Sequence, residues 1–274
     1  MLPLSTGFIV SNGVKMHYYR TGGAKPSLVM VHGISDDGLC WEVVANALAD
    51  RYDCVMVDMR GHGKSDAPET GYNTETLARE LVGFIEGLEL VKPIVLGHSM
   101  GAATTLLLAA MYPNLPRAIM LEDPPAFWRQ RADAPEARQL RERLINNFRI
   151  QKRMTYAELV SEAKVTRNTW SETEIENWAN AKLRFSPIIE QLVHVLALGE
   201  ADFPAKIRQV KCPALLIAGE PTAGAIATET DIASLRELMP HLISEKVEGA
   251  GHSIRRYNLN GYMDVVNRFL ATVA

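Results

Sequence analysis

Cysteine is scarce in this 274-residue chain, and the few present are poorly placed for cross-linking. Cys40, Cys54 and Cys212 are odd in number, far apart and without any C-x-x-C, so neither a disulfide framework nor a zinc site is expected. A reducing, cytoplasmic setting fits that usage. An excess of charge is also missing. Twenty-nine basic residues stand against 32 acidic ones, and a pI near 6.2 offers no basic face of the kind that neutralises nucleic-acid phosphates. The amino-terminal run Met1-Leu2-Pro3-Leu4-Ser5 has no positive region and no long apolar stretch before Ser11-Asn12-Gly13, so no export signal is expected. One stretch, Ile94 to Tyr112, approaches the roughly 20 apolar residues of a membrane span. Gly97-His98-Ser99-Met100-Gly101 breaks it in the middle and Pro93 and Pro113 bound it, which suits a buried strand, a tight turn and a buried helix, with no membrane partner.

What is present is ordinary globular material: 47% hydrophobic and 22% charged residues, enough for one large domain or a core with an insertion. Phe8-Ile9-Val10 and Val14 to Tyr19 flank Asn12-Gly13, a hairpin by composition and turn chemistry. The short apolar runs at 28–31, 54–57, 94–96 and 118–121 have the pattern of strands covered on both faces. Helical segments at 41–49, 74–88 and 102–111 separate them, giving β-α-β units and a largely parallel sheet, an α/β fold. From Pro124 to Phe203 the pattern becomes helical without a convincing strand, with apolar stripes at Leu140, Leu144 and Phe148 and at Ile188, Leu192, Val195 and Leu196. Strand signals resume at 214–217 and 242–247, with helices around 232–239 and from 254 to 273. The expected division is a core of 1–123 and 204–274 with a helical lid at 124–203. Eight basic and three acidic residues between Arg129 and Arg153 are spread at helical spacing and read as a solvated face.

The strongest chemical signal is Gly97-His98-Ser99-Met100-Gly101, a G-x-S-x-G between a strand and a helix. A sharp turn there exposes the Ser99 hydroxyl at the carboxyl end of the sheet, near a helix amino terminus. A hydroxyl needs a positioned imidazole to take its proton. His252, in Gly249-Ala250-Gly251-His252-Ser253 between the last strand and the last helix, belongs at the same sheet edge. His98 is expected to point away from the serine, and His32 and His62 are structural candidates, with His32 also considered for substrate binding. The loop His32-Gly33-Ile34-Ser35-Asp36 follows a strand, and backbone N–H groups of Ile34 and Met100, or of Gly33, suit an oxyanion site. Asp58 and Arg60, in the next turn, are expected to orient that loop.

These motifs, in this order, resemble the α/β-hydrolase fold family over nearly the whole chain. The resemblance implies a Ser-His-Asp/Glu triad, no cofactor or metal, and a substrate pocket between core and lid. In most of that family the acid follows the strand read here at 215–218, a position held by Thr222 in Gly219-Glu220-Pro221-Thr222. A branch that includes lactone hydrolases acting on zearalenone carries it instead after the strand that follows the nucleophile helix. Here that strand ends in Glu122-Asp123-Pro124-Pro125, and Asp123 is the expected acid, with Glu122 and Glu220 as alternatives.

A serine rather than an aspartate at the elbow implies an acyl-enzyme. The expected activity is therefore a serine esterase or lactonase acting on an apolar small-molecule substrate, a lactone or other bulky ester, as a monomer or homodimer. Hydrolysis of a carbon–carbon bond in a β-diketone or ring-cleavage product, or a low-turnover ligand receptor, would use the same residues. Phe127, Trp128, Met154, Trp170, Trp178 and Phe185 are available to the lid, and Trp128 is the one expected to face substrate.

Overall fold

The computed structural model describes residues 3–129, 135–196 and 202–273. An eight-stranded sheet runs through it in the order β1-β2-β4-β3-β5-β6-β7-β8. The strands are β1 (Ser5–Ser11), β2 (Val14–Arg20), β3 (Ser27–Val31), β4 (Asp53–Val57), β5 (Ile94–His98), β6 (Ala118–Glu122), β7 (Ala214–Ala218) and β8 (Leu242–Lys246). β1 and β2 form the expected antiparallel hairpin, closed by Asn12 and Gly13, both at positive φ (49° and 81°) as a two-residue turn of this hand requires. β2 also pairs antiparallel with β4, and every remaining pairing is parallel.

The continuous apolar runs arise because both sheet faces are covered. Along β3, Val29 and Val31 join one core and Leu28 and Met30 the other, and β4, β6 and β7 alternate in the same way. On the first face pack α2 (Thr74–Gly87) and α3 (Met100–Met111); on the second packs α1 (Glu42–Leu48). The three cysteines are free and buried within this packing.

Between β6 and β7 the described residues form helices and no strand: α4 (Pro135–Gln151), α5 (Tyr156–Thr166), α6 (Glu172–Arg184), α7 (Glu190–Leu196) and α8 (Phe203–Ile207). Thr155 and Glu158 form a reciprocal capping box on α5, and the Ser171 hydroxyl caps α6. Leu159 and Ala163 of α5 pack against Ile175, Trp178 and Ala179 of α6 in a small core of their own. Residues 130–134 and 197–201 of the expected insertion, and the side chains of Leu140, Val195 and Leu196 in its apolar stripes, lie outside the described residues. After α9 (Glu229–Leu238) and β8, the single helix expected from 254 to 273 is two: α10 (Ile254–Tyr257) and α11 (Leu259–Val273). Asn258 divides them because its carboxamide oxygen accepts the Gly261 N–H at 3.0 Å, starting a new helix instead of continuing the old one. No described helix is long and apolar enough to cross a membrane.

Candidate active site

In a parallel sheet every strand ends at the same edge, and the loops leaving it converge there. Ser99 stands between β5 and α3 at φ 52° and ψ −114°, a backbone conformation that costs a side-chain-bearing residue about 1–3 kcal/mol and survives only where its surroundings hold it. Its N–H donates to the Glu122 carbonyl at 2.9 Å, and its carbonyl accepts from Ala103 at 3.0 Å. Gly101 allows α3 to begin so close to the sheet: a Cβ there would lie 2.2 Å from the Val31 carbonyl oxygen.

The loop after β8 delivers His252. Its Nε2 lies 3.0 Å from Ser99 Oγ and its Nδ1 lies 2.6 Å from Asp123 Oδ2. Because Asp123 presents only acceptors, the proton belongs on Nδ1, which leaves Nε2 free to accept the Ser99 O–H. Asp123 itself sits at φ 43° just past β6 and is fully buried. Its Oδ2 also accepts the Ile226 N–H and its Oδ1 the Ala227 N–H, each at 2.9 Å. The loop after β7, which carries the acid in the commoner arrangement of this fold, here donates two backbone N–H groups to a carboxylate from β6.

Neither alternative acid touches His252. Glu122 projects to the other side of β6, where it accepts from Arg255 Nη1 at 2.9 Å and the Arg255 N–H at 3.2 Å. Both side chains are fully buried, and the Arg255 guanidinium lies 4.1 Å from the centre of the Trp41 ring. Burial pushes the Glu122 carboxyl above its usual range, against the pull of Arg255. Adjacent carboxylates on opposite sides of one strand end thus hold the loop at His252 and the start of α10 at Arg255. Glu122→Gln leaves Arg255 buried without its counter-charge and is expected to cost about 3–5 kcal/mol in denaturant unfolding, whereas a loss under about 1 kcal/mol would contradict this role. Glu220 is tied through its backbone N–H to the Ala250 carbonyl at 2.7 Å, and both His252 nitrogens are already engaged elsewhere.

The loop after β3 comes close to the serine. A Cβ on Gly33 would lie 3.3 Å from Ser99 Cβ and 2.7 Å from His98 Nδ1. The N–H groups of Ile34 and Met100 donate to no described residue, as an oxyanion site requires. His32 and His62 shape this loop from behind. His32 donates from Nδ1 to the Gly33 carbonyl at 2.8 Å and accepts the Met59 N–H on Nε2 at 3.0 Å; His62 accepts the Ser35 N–H at 3.2 Å. Burial holds both imidazoles below their usual pKa, keeping them neutral as these acceptor roles demand. Full burial and two filled nitrogens exclude the substrate-binding role expected of His32. Asp58 ties the neighbouring turn together, accepting from His17 Nδ1 at 2.9 Å, Gly38 N–H at 2.7 Å and Lys64 N–H at 3.0 Å, while Arg60 pairs with buried Glu80.

Two further expectations change. Trp128 does not face the site: it is 4% exposed, donates from Nε1 to the Ser234 hydroxyl at 3.0 Å and packs edge-on against Phe127. Two prolines carry the chain away from β6, so proximity in sequence to Asp123 is not proximity to the cavity. His98 is nearer than expected, its ring 4.7 Å from that of His252 and its Nε2 2.9 Å from the His252 carbonyl oxygen. It makes no hydrogen bond to Ser99, so it supports the loop that carries His252.

A cavity of about 270 Å³ opens beside Ser99, small against the roughly 300–1,000 Å³ of typical small-molecule sites. Phe148, Trp170 and Trp178 line it as an apolar reading anticipates. So do the charged side chains of Asp36, Arg167, Lys182 and Arg256, which that reading does not include. Lys182 donates to the Ser35 carbonyl at 2.8 Å and its hydroxyl at 2.9 Å. Sequence signals were available for two of the four: Arg256 lies four residues after His252, and Lys182 shares the Trp178 face of α6 at i, i+4. Among the described residues no group of three or more His, Cys, Asp or Glu side chains is placed to hold a metal ion.

The fold and this edge-of-sheet site define an α/β hydrolase, and the family model for the alpha/beta hydrolase fold matches residues 26–254. The chain belongs to that family. It is 30% identical over 279 aligned positions to the N-formylmaleamate deformylase of Pseudomonas putida, covering 96% of each chain. Among solved structures, an E-2-(acetamidomethylene)succinate hydrolase superposes with a TM-score of 0.83 at 22% identity over 98% of this chain and all of the other. An N-formylmaleamic acid deformylase from Pseudomonas putida S16 does so with a TM-score of 0.75 at 25% identity over 96% of this chain and all of the other.

Proposed function

We propose that this chain is a serine hydrolase that cleaves the acyl bond of a small ester or amide through an acyl-enzyme on Ser99. The observation that carries this reading is the continuous hydrogen-bonded chain from Asp123 through His252 to Ser99. His252 takes the hydroxyl proton as Ser99 attacks the carbonyl carbon, while Asp123 steadies the imidazolium. The N–H groups of Ile34 and Met100 receive the developing oxyanion. His252 returns the proton to the leaving oxygen or nitrogen as the carbonyl reforms. Water then enters, loses a proton to the same imidazole and releases the acid.

The full-length similarity to a deformylase supports extending the leaving group from the alcohol of an ester or lactone to the nitrogen of an amide. The helices between β6 and β7 act as a lid, since α4 contributes Phe148, α6 contributes Trp178 and Lys182, and the α5–α6 turn contributes Arg167 and Trp170 to the cavity. The test is a matched panel of aryl ester, lactone, N-formyl amide and β-diketone. Saturable turnover of the ester or the formyl amide, with an initial burst where acylation outruns deacylation, is the expected result. Turnover confined to the β-diketone would replace this reading with carbon–carbon bond cleavage.

A further inference from the structure

Each cation on the cavity lining has a carboxylate partner, yet two of the guanidinium groups keep donors open after those partners are counted. Of the four charged side chains that line it, three are formally cationic (Arg167, Lys182, Arg256) and one anionic (Asp36). Asp36 is shared, 3.4 Å from Lys182 Nζ and 3.1 Å from Arg256 Nη1. Its cationic neighbours hold its carboxyl well below the ordinary carboxylate range. Glu174 takes a second nitrogen of Arg256, Nε, at 2.7 Å. The third, Nη2, is buried without a hydrogen-bond partner, on a side chain only 1% exposed. A guanidinium N–H left unmade inside a protein is costly, and its strongest natural partner is a carboxylate.

Arg167 supplies the second set of open donors. Its guanidinium lies 4.3 Å from the centre of the Trp178 ring and its Nη1 is held by the Thr166 hydroxyl at 2.6 Å and by Glu162 Oε1 at 3.4 Å, while Nε and Nη2 donate to no described residue. Both guanidinium groups lie beside one aromatic ring: their central carbons are 4.6 Å (Arg256) and 5.5 Å (Arg167) from the centre of Trp170. A stacked, planar guanidinium keeps its edge free for in-plane bonding to an oxygen pair.

We propose that Arg256 and Arg167, grouped around Trp170, form an anion subsite that binds a carboxylate on the substrate separate from the acyl group cut at Ser99. The substrate class is then the half-amide or half-ester of a short dicarboxylic acid, or an N-acyl amino-acid-like anion, sized to a cavity of about 270 Å³. This inference rests on the acyl-hydrolase reading for its kinetic arm and on binding alone for its other arm.

The kinetic arm compares p-nitrophenyl hemisuccinate with its neutral methyl ester. The anion is expected to have the larger kcat/KM by about 10- to 100-fold, the range of one charge-assisted hydrogen-bonding pair. Arg167→Met is expected to reduce that ratio at least about fivefold, and Arg167→Lys to restore part of it. The binding arm uses the intact protein with maleate and its neutral counterpart maleamide, read by calorimetry. Maleate should bind at least about tenfold more tightly than maleamide, and more weakly as salt is raised. Should neither ester be turned over while maleate still binds selectively, the anion subsite stands and the acyl-hydrolase reading falls. Equal kcat/KM for the two esters, or equal affinity for maleate and maleamide, overturns the subsite; the second comparison needs no variant to fold.

Discussion

Ser99→Ala is expected to lower kcat for the best acyl substrate by about a million-fold, leaving the residual about 10³–10⁴ over water that oxyanion donors and binding supply on their own. The magnitude follows from the loss of the covalent route. Without Oγ, His252 has no hydroxyl to deprotonate, and a water held in the vacated space lacks the 3.0 Å alignment that the serine has with Nε2. The fold should be untouched, because the tight turn is held by main-chain bonds to Glu122 and Ala103 and by the close approach of Gly101 to β3. An unchanged thermal midpoint with vanished turnover is therefore the signature. Turnover above about 1% of the original would mean that another group performs the attack.

The second large effect is at Asp123. Asp123→Asn is expected to reduce kcat by about 10⁴ while substrate affinity changes little, as loss of the correct imidazole tautomer does in a serine triad. An amide in place of the carboxylate offers an N–H towards His252 Nδ1, and the ring then carries its proton on Nε2 and cannot accept from Ser99. The carboxylate's other bonds sharpen the case. Oδ1 and Oδ2 each accept a backbone N–H from the 226–227 turn, so both oxygens are committed and the side chain cannot rotate to compensate. Glu220→Gln serves as the companion measurement and should leave kcat within about twofold. A large loss at Glu220 with little at Asp123 would move the acid to the loop after β7.

The largely parallel sheet and the edge at which chemistry gathers were legible because they depend on strong local signals, whereas the order of the strands was not. Short β-branched apolar runs bounded by turn residues fit strands covered on both faces, and a glycine-flanked serine between strand and helix has one place to stand. His252 was readable for the same reason, being the histidine on a glycine-rich loop after the last parallel strand. Asp123 over Glu122 was harder, since the choice turns on which side of β6 each carboxylate leaves, and that is fixed by the positive φ at Asp123 and by Arg255 waiting on the opposite side. The cavity lining was largely illegible. Trp128 was drawn towards the site by its nearness in sequence to Asp123, yet the chain after Pro125 turns into the core. Arg167 and Lys182 come from separate segments of the helical region, and no spacing in the sequence joins them to Arg256 or Asp36. Such a constellation is assembled by helix packing, which depends on long-range contacts instead of local period.

The most direct test of the acyl-enzyme chemistry is the mass of the protein after reaction with a fluorophosphonate, with the modified peptide sequenced. The expected result is one adduct per chain, mapped to Ser99, formed more slowly in Asp123→Asn and absent in Ser99→Ala. An adduct on any other residue, or full hydrolytic activity without an adduct, would contradict it.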